Sequence, residues 1–128
     1  MRKLSPVLYV EQIEPCLPFW ERLGFSRTAE VPEGNALGFV ILAKDGVEIM
    51  YQSRASIAKD LPVLAPKGGA FSKSGVGLYI EVADLQQVLP TLKGAEVVVP
   101  LRKTFYGATE IFVREPGGTV VGFAQHGE

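Results

Sequence analysis

Apolar and polar positions follow the same order twice along this chain. Residues 8–11 (LYVE) and 78–81 (LYIE) have nearly the same short strand pattern, 70 positions apart. A helical apolar pattern follows each strand and ends near Gly24 or Gly94, which keep that shift. Each half then closes with an alternating apolar hairpin. The sequence therefore predicts one strand–helix–strand–hairpin module written twice, and each module has an apolar sheet face that it cannot bury alone.

The first module spans about residues 4–52. We expect a strand over 5–10, a helix over 13–23, a strand over 27–31, a turn at 32–35 and a hairpin over 39–51. Asp45-Gly46 suits a two-residue hairpin turn, because both turn residues need positive φ. This turn places Ala43 opposite Glu48 and Ile41 opposite Met50.

The second module spans about residues 75–126 and follows a connector over 53–74. Charged, Ser, Gly and Pro positions mark the connector, which holds the clusters LAPKGG (64–69) and SKSG (72–75) and one short helical turn at 55–60. The module then repeats the order of the first: a strand over 77–82, a helix over 84–93, a strand over 95–100, a loop over 101–107 and a hairpin over 109–125, closed over 115–118 (EPGG). The predicted class is α+β, with residues 1–128 forming a single domain.

Composition narrows the functional classes. With 47% apolar residues, a chain of 128 residues is long enough to bury a core. Thirteen basic and fourteen acidic residues give a net charge of −1 without a basic stripe, so we expect no nucleic-acid partner. No apolar run approaches the roughly 20 residues that cross a bilayer, so we expect no membrane partner. The single Cys16 excludes an internal disulfide, and together these features predict a cytoplasmic protein.

Period-two alternation gives each predicted strand one aliphatic face and one mixed face of aromatic, Met and carboxylate side chains. Mixed faces of this kind suit an organic ligand. Arg114 is the one cation that alternation places beside their carboxylates, so the sequence favours an aromatic or cationic ligand. The competing interpretation is that these side chains only fill half-buried sheet positions. The candidate ligand-binding residues are Tyr9, Phe39, Glu48, Met50, Tyr79, Phe105, Tyr106, Glu110 and Phe112.

Two strings of the sequence carry a family resemblance. Residues 6–25 (PVLYVEQIEPCLPFWERLGF) and 114–123 (REPGGTVVGF) resemble the opening module and the closing hairpin of the vicinal oxygen chelate superfamily, with Glu115 where the family's hairpin has Asp. That superfamily includes glyoxalase I, extradiol dioxygenases and bleomycin-resistance proteins. The resemblance implies two βαβββ modules whose strands curl into a cleft, helices on the outer face, and a homodimer. It also implies that residues 105–107 (FYG) form an aromatic-glycine loop at the mouth of the cleft.

The resemblance also implies four positions for a divalent metal, one on the first and one on the last strand of each module. They map to Ser5, Glu48, Gly77 and Gly122, of which only Glu48 could bind a metal. A register shifted by two residues would make Val7, instead of Ser5, the counterpart of Gly77, which adds no ligand.

We therefore expect no metal, no cofactor and no catalytic residue. The predicted function is metal-independent binding of a small organic molecule, by sequestration as in bleomycin resistance. The alternative is a lyase or dioxygenase-type enzyme of the same superfamily that uses Glu48 as a base or as its sole retained metal ligand. His126 is predicted to lie in a frayed tail, and Trp20 in the core or a dimer interface.

Overall fold

The chain divides into two compact units, Met1–Ser72 and Lys73–Glu128. A computed structural model describes residues 2–64 and 76–127. Two clusters predicted in the connector lie outside the described residues: LAPKGG, except for its first residue, and SKSG. Within those residues no helix is long and apolar enough to cross a membrane.

The first unit contains an open, four-stranded mixed sheet. Its strands are β1 (Val7–Val10), β2 (Ser26–Glu33), β3 (Ala36–Lys44) and β4 (Val47–Ser53). They lie in the order β1-β4-β3-β2, with β1 parallel to β4 and the other neighbours antiparallel. A 3₁₀ turn at Glu14–Cys16 leads into helix α1 (Leu17–Arg22), and helix α2 (Arg54–Asp60) and a 3₁₀ turn at Pro62–Leu64 follow β4.

The β3–β4 hairpin confirms the predicted register. Asp45 and Gly46 both adopt positive φ, 51° and 80°, as a tight hairpin turn requires. Ala43 pairs with Glu48 and Ile41 with Met50. Alternation along these two strands therefore fixes which side chains share the mixed face.

Two predicted boundaries of the first module were wrong. The turn expected at 32–35 is confined to Gly34 and Asn35, because β2 continues through Pro32 to Glu33. The helix expected over 13–23 is divided into a 3₁₀ turn and α1, so that Pro18 lies in the first turn of α1, where its missing N–H costs no hydrogen bond. The helical segment predicted at 55–60 in the connector is confirmed by α2, which begins one residue earlier and is capped by the Ser53 hydroxyl accepting from the backbone N–H of Ser56 at 3.2 Å.

The second unit repeats this sheet. Its strands are β5 (Leu78–Glu81), β6 (Glu96–Lys103), β7 (Ala108–Arg114) and β8 (Val120–His126), in the order β5-β8-β7-β6 with β5 parallel to β8. Helix α3 (Leu85–Val88) continues into a 3₁₀ turn at Leu89–Leu92, since Pro90 follows within it, so the helix predicted over 84–93 is shorter and mixed. The loop predicted over 101–107 is also wrong in part, because 101–103 belong to β6.

The duplication extends to the pairing of individual residues. Tyr9 lies opposite Gln52 in the first unit and Tyr79 opposite Gly122 in the second, so both strand pairs keep the shift of 70. This settles the register that the sequence left open between 70 and 72. Phe39 and Phe112 complete the two sets, because they lie on the other side of Gln52 and Gly122 respectively.

The core of the first unit lies on the aliphatic side of its sheet. Val40, Leu42 and Tyr51 are fully buried there. The indole N–H of Trp20, also fully buried, donates to the Tyr51 hydroxyl at 2.8 Å, which places Trp20 in the core and joins α1 to β4. Val47 alternates onto the same face but is 44% exposed, because it lies next to the hairpin turn.

Candidate functional site

The mixed face of the first unit carries four of the predicted binding residues. Glu48 and Met50 alternate along β4, and Phe39 and Tyr9 lie on the strands on either side. All four are partly exposed, whereas Val40 and Leu42 on the opposite face are fully buried. The structure therefore brings Tyr9, Phe39, Glu48 and Met50 onto one accessible face.

The carboxylate of Glu48 on this face is paired with two neighbouring side chains. The ammonium of Lys3 lies 3.0 Å from one carboxylate oxygen, and the Ser5 hydroxyl donates to the same oxygen at 2.8 Å. The hydrogen bond from Lys3, followed by that from Ser5, lowers the pKa of Glu48 from its ordinary value. Glu48 is therefore a paired carboxylate that is a weak proton acceptor at neutral pH.

Gln52 is a site residue that the sequence analysis missed. Its side-chain amide nitrogen donates to the Ser56 hydroxyl at 3.1 Å and to an Asp60 carboxylate oxygen at 3.2 Å. These bonds to α2 fix which end of the amide is nitrogen, because a carboxylate can only accept. The sequence analysis did not find Gln52, because the helical turn predicted at 55–60 gave no indication of which strand residue it would contact.

In the second unit the predicted residues gather around Glu110, which is fully buried. One carboxylate oxygen, Oε1, accepts from the hydroxyls of Tyr106 at 2.7 Å and Tyr79 at 3.1 Å. The other, Oε2, accepts from Nη2 and Nε of Arg102 at 2.9 and 3.2 Å. Four donors thus satisfy a carboxylate that would otherwise be costly to bury.

These contacts shift three pKa values in a consistent way. The hydrogen bond from Tyr106 lowers the pKa of Glu110, and Arg102 and Tyr79 add to this effect. The pKa of Tyr106 is raised, chiefly by its hydrogen bond to the same carboxylate. Removal of the Tyr79 hydroxyl from water, followed by its bond to Glu110, raises the pKa of Tyr79 to about 12. At neutral pH the hydrogen-bonded group around Glu110 therefore contains one carboxylate, one guanidinium and two neutral tyrosines.

His126 belongs to the hydrogen-bonded group around Glu110. The sequence analysis had placed it in a frayed tail, and that prediction was wrong. It is the last residue of β8 and pairs with Ala108 across the ladder. Its Nε2 lies 3.2 Å from the Tyr79 hydroxyl. Because that hydroxyl gives its proton to Glu110, its oxygen accepts from His126, so Nε2 carries a proton.

The aromatic rings around Glu110 differ in exposure. Tyr79 and Tyr106 are 48% and 49% exposed, and Phe105 at the turn between β6 and β7 is fully exposed, with its ring 5.1 Å from that of Tyr106 in an edge contact. Phe112 lies 6.1 Å from Tyr79 between ring centroids. The four rings predicted for the second module therefore form one group, here called the aromatic cluster: Tyr79, Phe105, Tyr106 and Phe112.

The sequence analysis missed Arg102. The charge balance that it predicted for the mixed faces was therefore wrong. Its guanidinium pairs with Glu110 and lies 6.0 Å from the centre of the Phe112 ring. Arg114, which the sequence offered as the only cation, pairs instead with Glu96 at 3.4 Å. With Lys3 on Glu48 and Arg102 on Glu110, both carboxylates have a cation beside them.

The side chains present do not fit the metal site that the resemblance implies. A Cβ at position 122 would lie 2.4 Å from the Phe112 ring, which fills the space that a ligand side chain needs. In the first unit Glu48 is the only one of the four implied metal positions with a side chain that could bind a metal, and its carboxylate is paired with the ammonium of Lys3. Among the described residues no three His, Cys, Asp or Glu side chains group in a way that could hold a metal ion.

Comparisons with known proteins agree with this architecture. A family model for the glyoxalase/bleomycin resistance protein/dioxygenase superfamily matches residues 4–123. No protein with a curated description matches the chain significantly.

Several solved structures share the fold. The chain is similar to a glyoxalase/bleomycin resistance protein/dioxygenase from Nocardioides (TM-score 0.75, 18% identity, covering 100% of this chain and 85% of that one). It is also similar to TioX from Micromonospora sp. ML1 (TM-score 0.69, 17% identity, covering 98% and 99%) and to protein PA1353 from Pseudomonas aeruginosa (TM-score 0.75, 16% identity, covering 100% of both). Together with the family match, the fold shows that the chain belongs to the glyoxalase/bleomycin resistance protein/dioxygenase superfamily.

Proposed function

We propose that this protein binds a small aromatic molecule without a metal and acts by sequestering it. The observation that carries the proposal is the tethering of two half-exposed tyrosines, Tyr79 and Tyr106, to one fully buried carboxylate. A ring held by its hydroxyl keeps its apolar surface free for contact. Such rings lose little conformational freedom when a flat ligand stacks on them, so little of the binding free energy is lost to ordering them.

Glu110 has a positioning role in this proposal. It is fully buried, and four donors already occupy its two oxygens. A ligand would have to displace Tyr79, Tyr106 or Arg102 to reach it. Glu110 therefore orients the rings that contact the ligand. Within the first unit, Tyr9, Phe39 and Met50 form a partly exposed face of the same mixed character.

The state of Glu48 favours binding over catalysis. A general base works best when its pKa lies near the operating pH. Lys3 and Ser5 lower the pKa of Glu48, which moves it away from that range. The lyase or dioxygenase alternative needs Glu48 as a base or as a metal ligand, and its ion pair opposes both uses.

The experiment is a calorimetric titration with pairs of ligands that differ only in ring saturation, such as a naphthyl compound and its decahydro counterpart. We expect the aromatic member to bind more tightly, and both Tyr79→Leu and Tyr106→Leu to remove most of that preference. Leu4→Ala, at a site that is 90% exposed and outside the proposed contacts, is the matched control and should leave it unchanged.

Metal dependence is tested on the same protein. Binding should persist after treatment with a chelator, and added Ni²⁺, Zn²⁺, Mn²⁺ or Fe²⁺ should not increase it. Stoichiometric metal retained through chelator-free purification and lost in Glu48→Gln would refute metal-independent binding. Equal affinity for aromatic and saturated ligands would refute the role of the rings.

A further inference from the structure

Arg102 makes contacts that use only one side of its guanidinium. Nε and Nη2 both donate to Oε2 of Glu110, at 3.2 and 2.9 Å. A guanidinium has five N–H donors, and its end-on edge, formed by Nη1 and the outer hydrogen of Nη2, is a second fork that fits a carboxylate. Among the described residues that second fork has no hydrogen-bond partner, and the Arg102 side chain is 53% exposed.

The opposite charge beside Arg102 is not accessible in the same way. Glu110 is fully buried and its oxygens already accept from Tyr79, Tyr106 and Arg102. The ion pair is thus asymmetric: its negative member lies inside the unit and its positive member reaches solvent. A ligand at the aromatic cluster meets the guanidinium first.

Among the described residues, Glu110 is the only carboxylate hydrogen-bonded within this cluster, and it is buried; Glu81, which is exposed on the same face of β5 as Tyr79, is not bonded to it. The tyrosines stay neutral at physiological pH, since their pKa values are raised. His126 faces Tyr79 as a neutral or positive group. The Phe112 ring lies 6.0 Å from Arg102, within the range of a cation–π contact, so that an incoming cation would compete with Arg102 for its surface.

We infer that the second unit selects an aromatic carboxylate: the rings of Tyr79 and Tyr106 contact its aromatic part, and the free fork of Arg102 binds its carboxylate. This inference rests on the proposed function and names the charge of its ligand. It reverses the cationic preference expected from the sequence, because that expectation counted Glu110 as accessible and did not include Arg102. Arg102 is then the residue that determines charge specificity.

The test uses three probes with one ring system: naphthoate, naphthylmethanol and naphthylmethylammonium. Calorimetry should rank them in that order, with the carboxylate roughly tenfold tighter than the ammonium compound, as one charge-assisted bond on an exposed guanidinium allows. Added salt should weaken naphthoate and leave naphthylmethanol nearly unchanged.

Variants separate the guanidinium fork from the folded state of the unit. Arg102→Lys keeps a cation for Glu110 but has no second fork, so naphthoate should lose most of its advantage. The double variant Arg102→Gln/Glu110→Gln removes both members of the pair, which avoids a buried, unpaired carboxylate. It should bind naphthoate and naphthylmethanol about equally. Arg114→Gln, which removes a cation paired with Glu96, is the matched control and should keep the wild-type order.

The outcomes distinguish this inference from the proposed function. If the ammonium probe binds as tightly as naphthoate while saturated analogues bind weakly, the rings are used and the role of Arg102 is refuted. An unchanged preference for naphthoate in Arg102→Lys and in the double variant refutes it too. If aromatic and saturated probes bind alike, the proposed function itself fails and the inference fails with it.

Discussion

Gly122→Ala is expected to destabilise the protein, although the same change at many strand glycines is harmless. The added Cβ would lie 2.4, 2.8 and 2.9 Å from three carbons of the Phe112 ring. Non-bonded carbon atoms pack at about 3.5–4.0 Å, so the ring would have to withdraw by about 1.1 Å. That movement would also disturb the contacts of Phe112 with Tyr79 and Arg102.

The magnitude follows from two opposing effects. Gly122 is not among the glycines with positive φ, so alanine fits the backbone and gains about 0.4–1 kcal/mol by restricting the unfolded chain. Overpacking of a filled site costs about 1–3 kcal/mol. The net loss in free energy of unfolding should be about 0.5–2 kcal/mol, measured by urea denaturation with an unchanged m-value.

A double-mutant cycle isolates the contact. In a Phe112→Ala background the space is empty, so Gly122→Ala should become neutral or stabilising, which gives a coupling free energy of about 1–3 kcal/mol. Gly77→Ala is the comparison variant, because its Cβ would meet one atom, the Val120 carbonyl oxygen, at 3.3 Å, so it should destabilise less than Gly122→Ala. A neutral Gly122→Ala in the wild-type background would refute this packing argument.

Three further predictions follow from hydrogen bonds and pKa values. Tyr51→Phe leaves the buried Trp20 N–H without its acceptor and should cost about 1–3 kcal/mol, seen as a lower denaturation midpoint in the fluorescence of this single Trp; an unchanged midpoint would contradict it. Tyr79 should ionise near pH 12 in the folded protein, so the stability that it contributes is fully present below pH 10 and is lost as the pH rises towards 12. Titration followed by tyrosinate absorbance checks this. If Tyr79→Phe removes an absorbance step near pH 10, the pKa of Tyr79 is not raised. Lys3→Met should raise the pKa of Glu48, followed by NMR of its carboxyl carbon, and the stability due to this pair should be lost as the pH falls through the folded pKa of Glu48; an unaltered titration would argue against the pair.

The sequence predicted the parts of the fold that depend on local pattern. The Asp45-Gly46 turn and the alternation beside it were sufficient for the register of β3 and β4, down to the pairing of Ala43 with Glu48. Repetition of the LYVE and LYIE strings likewise predicted two sheets of one topology. Both signals are short-range, and a two-residue turn leaves one register that buries the aliphatic face.

Arg102 could not be found in that way. The pairing of β6 with β7 is irregular at two places, between Val97 and Val99 and between Val99 and Arg102. Each irregularity adds one residue to β6, so a regular register counted from the pair of Glu96 with Arg114 places Pro100, and not Arg102, opposite Glu110. Glu110 therefore seemed unpaired in the sequence, and the predicted charge balance of that face was wrong for that reason.

The fit between Phe112 and Gly122 also constrains how this lineage can change. A carboxylate at position 122 would be the first step towards a metal ligand in the second unit, but Gly122→Glu places its side chain where the Phe112 ring already lies. Phe112 would have to become smaller first, and that earlier substitution removes a ring of the aromatic cluster before any metal could be held. A side chain at position 122 and the Phe112 ring are thus mutually exclusive at paired positions on β8 and β7, and a path towards a metal ligand there begins with the loss of that ring.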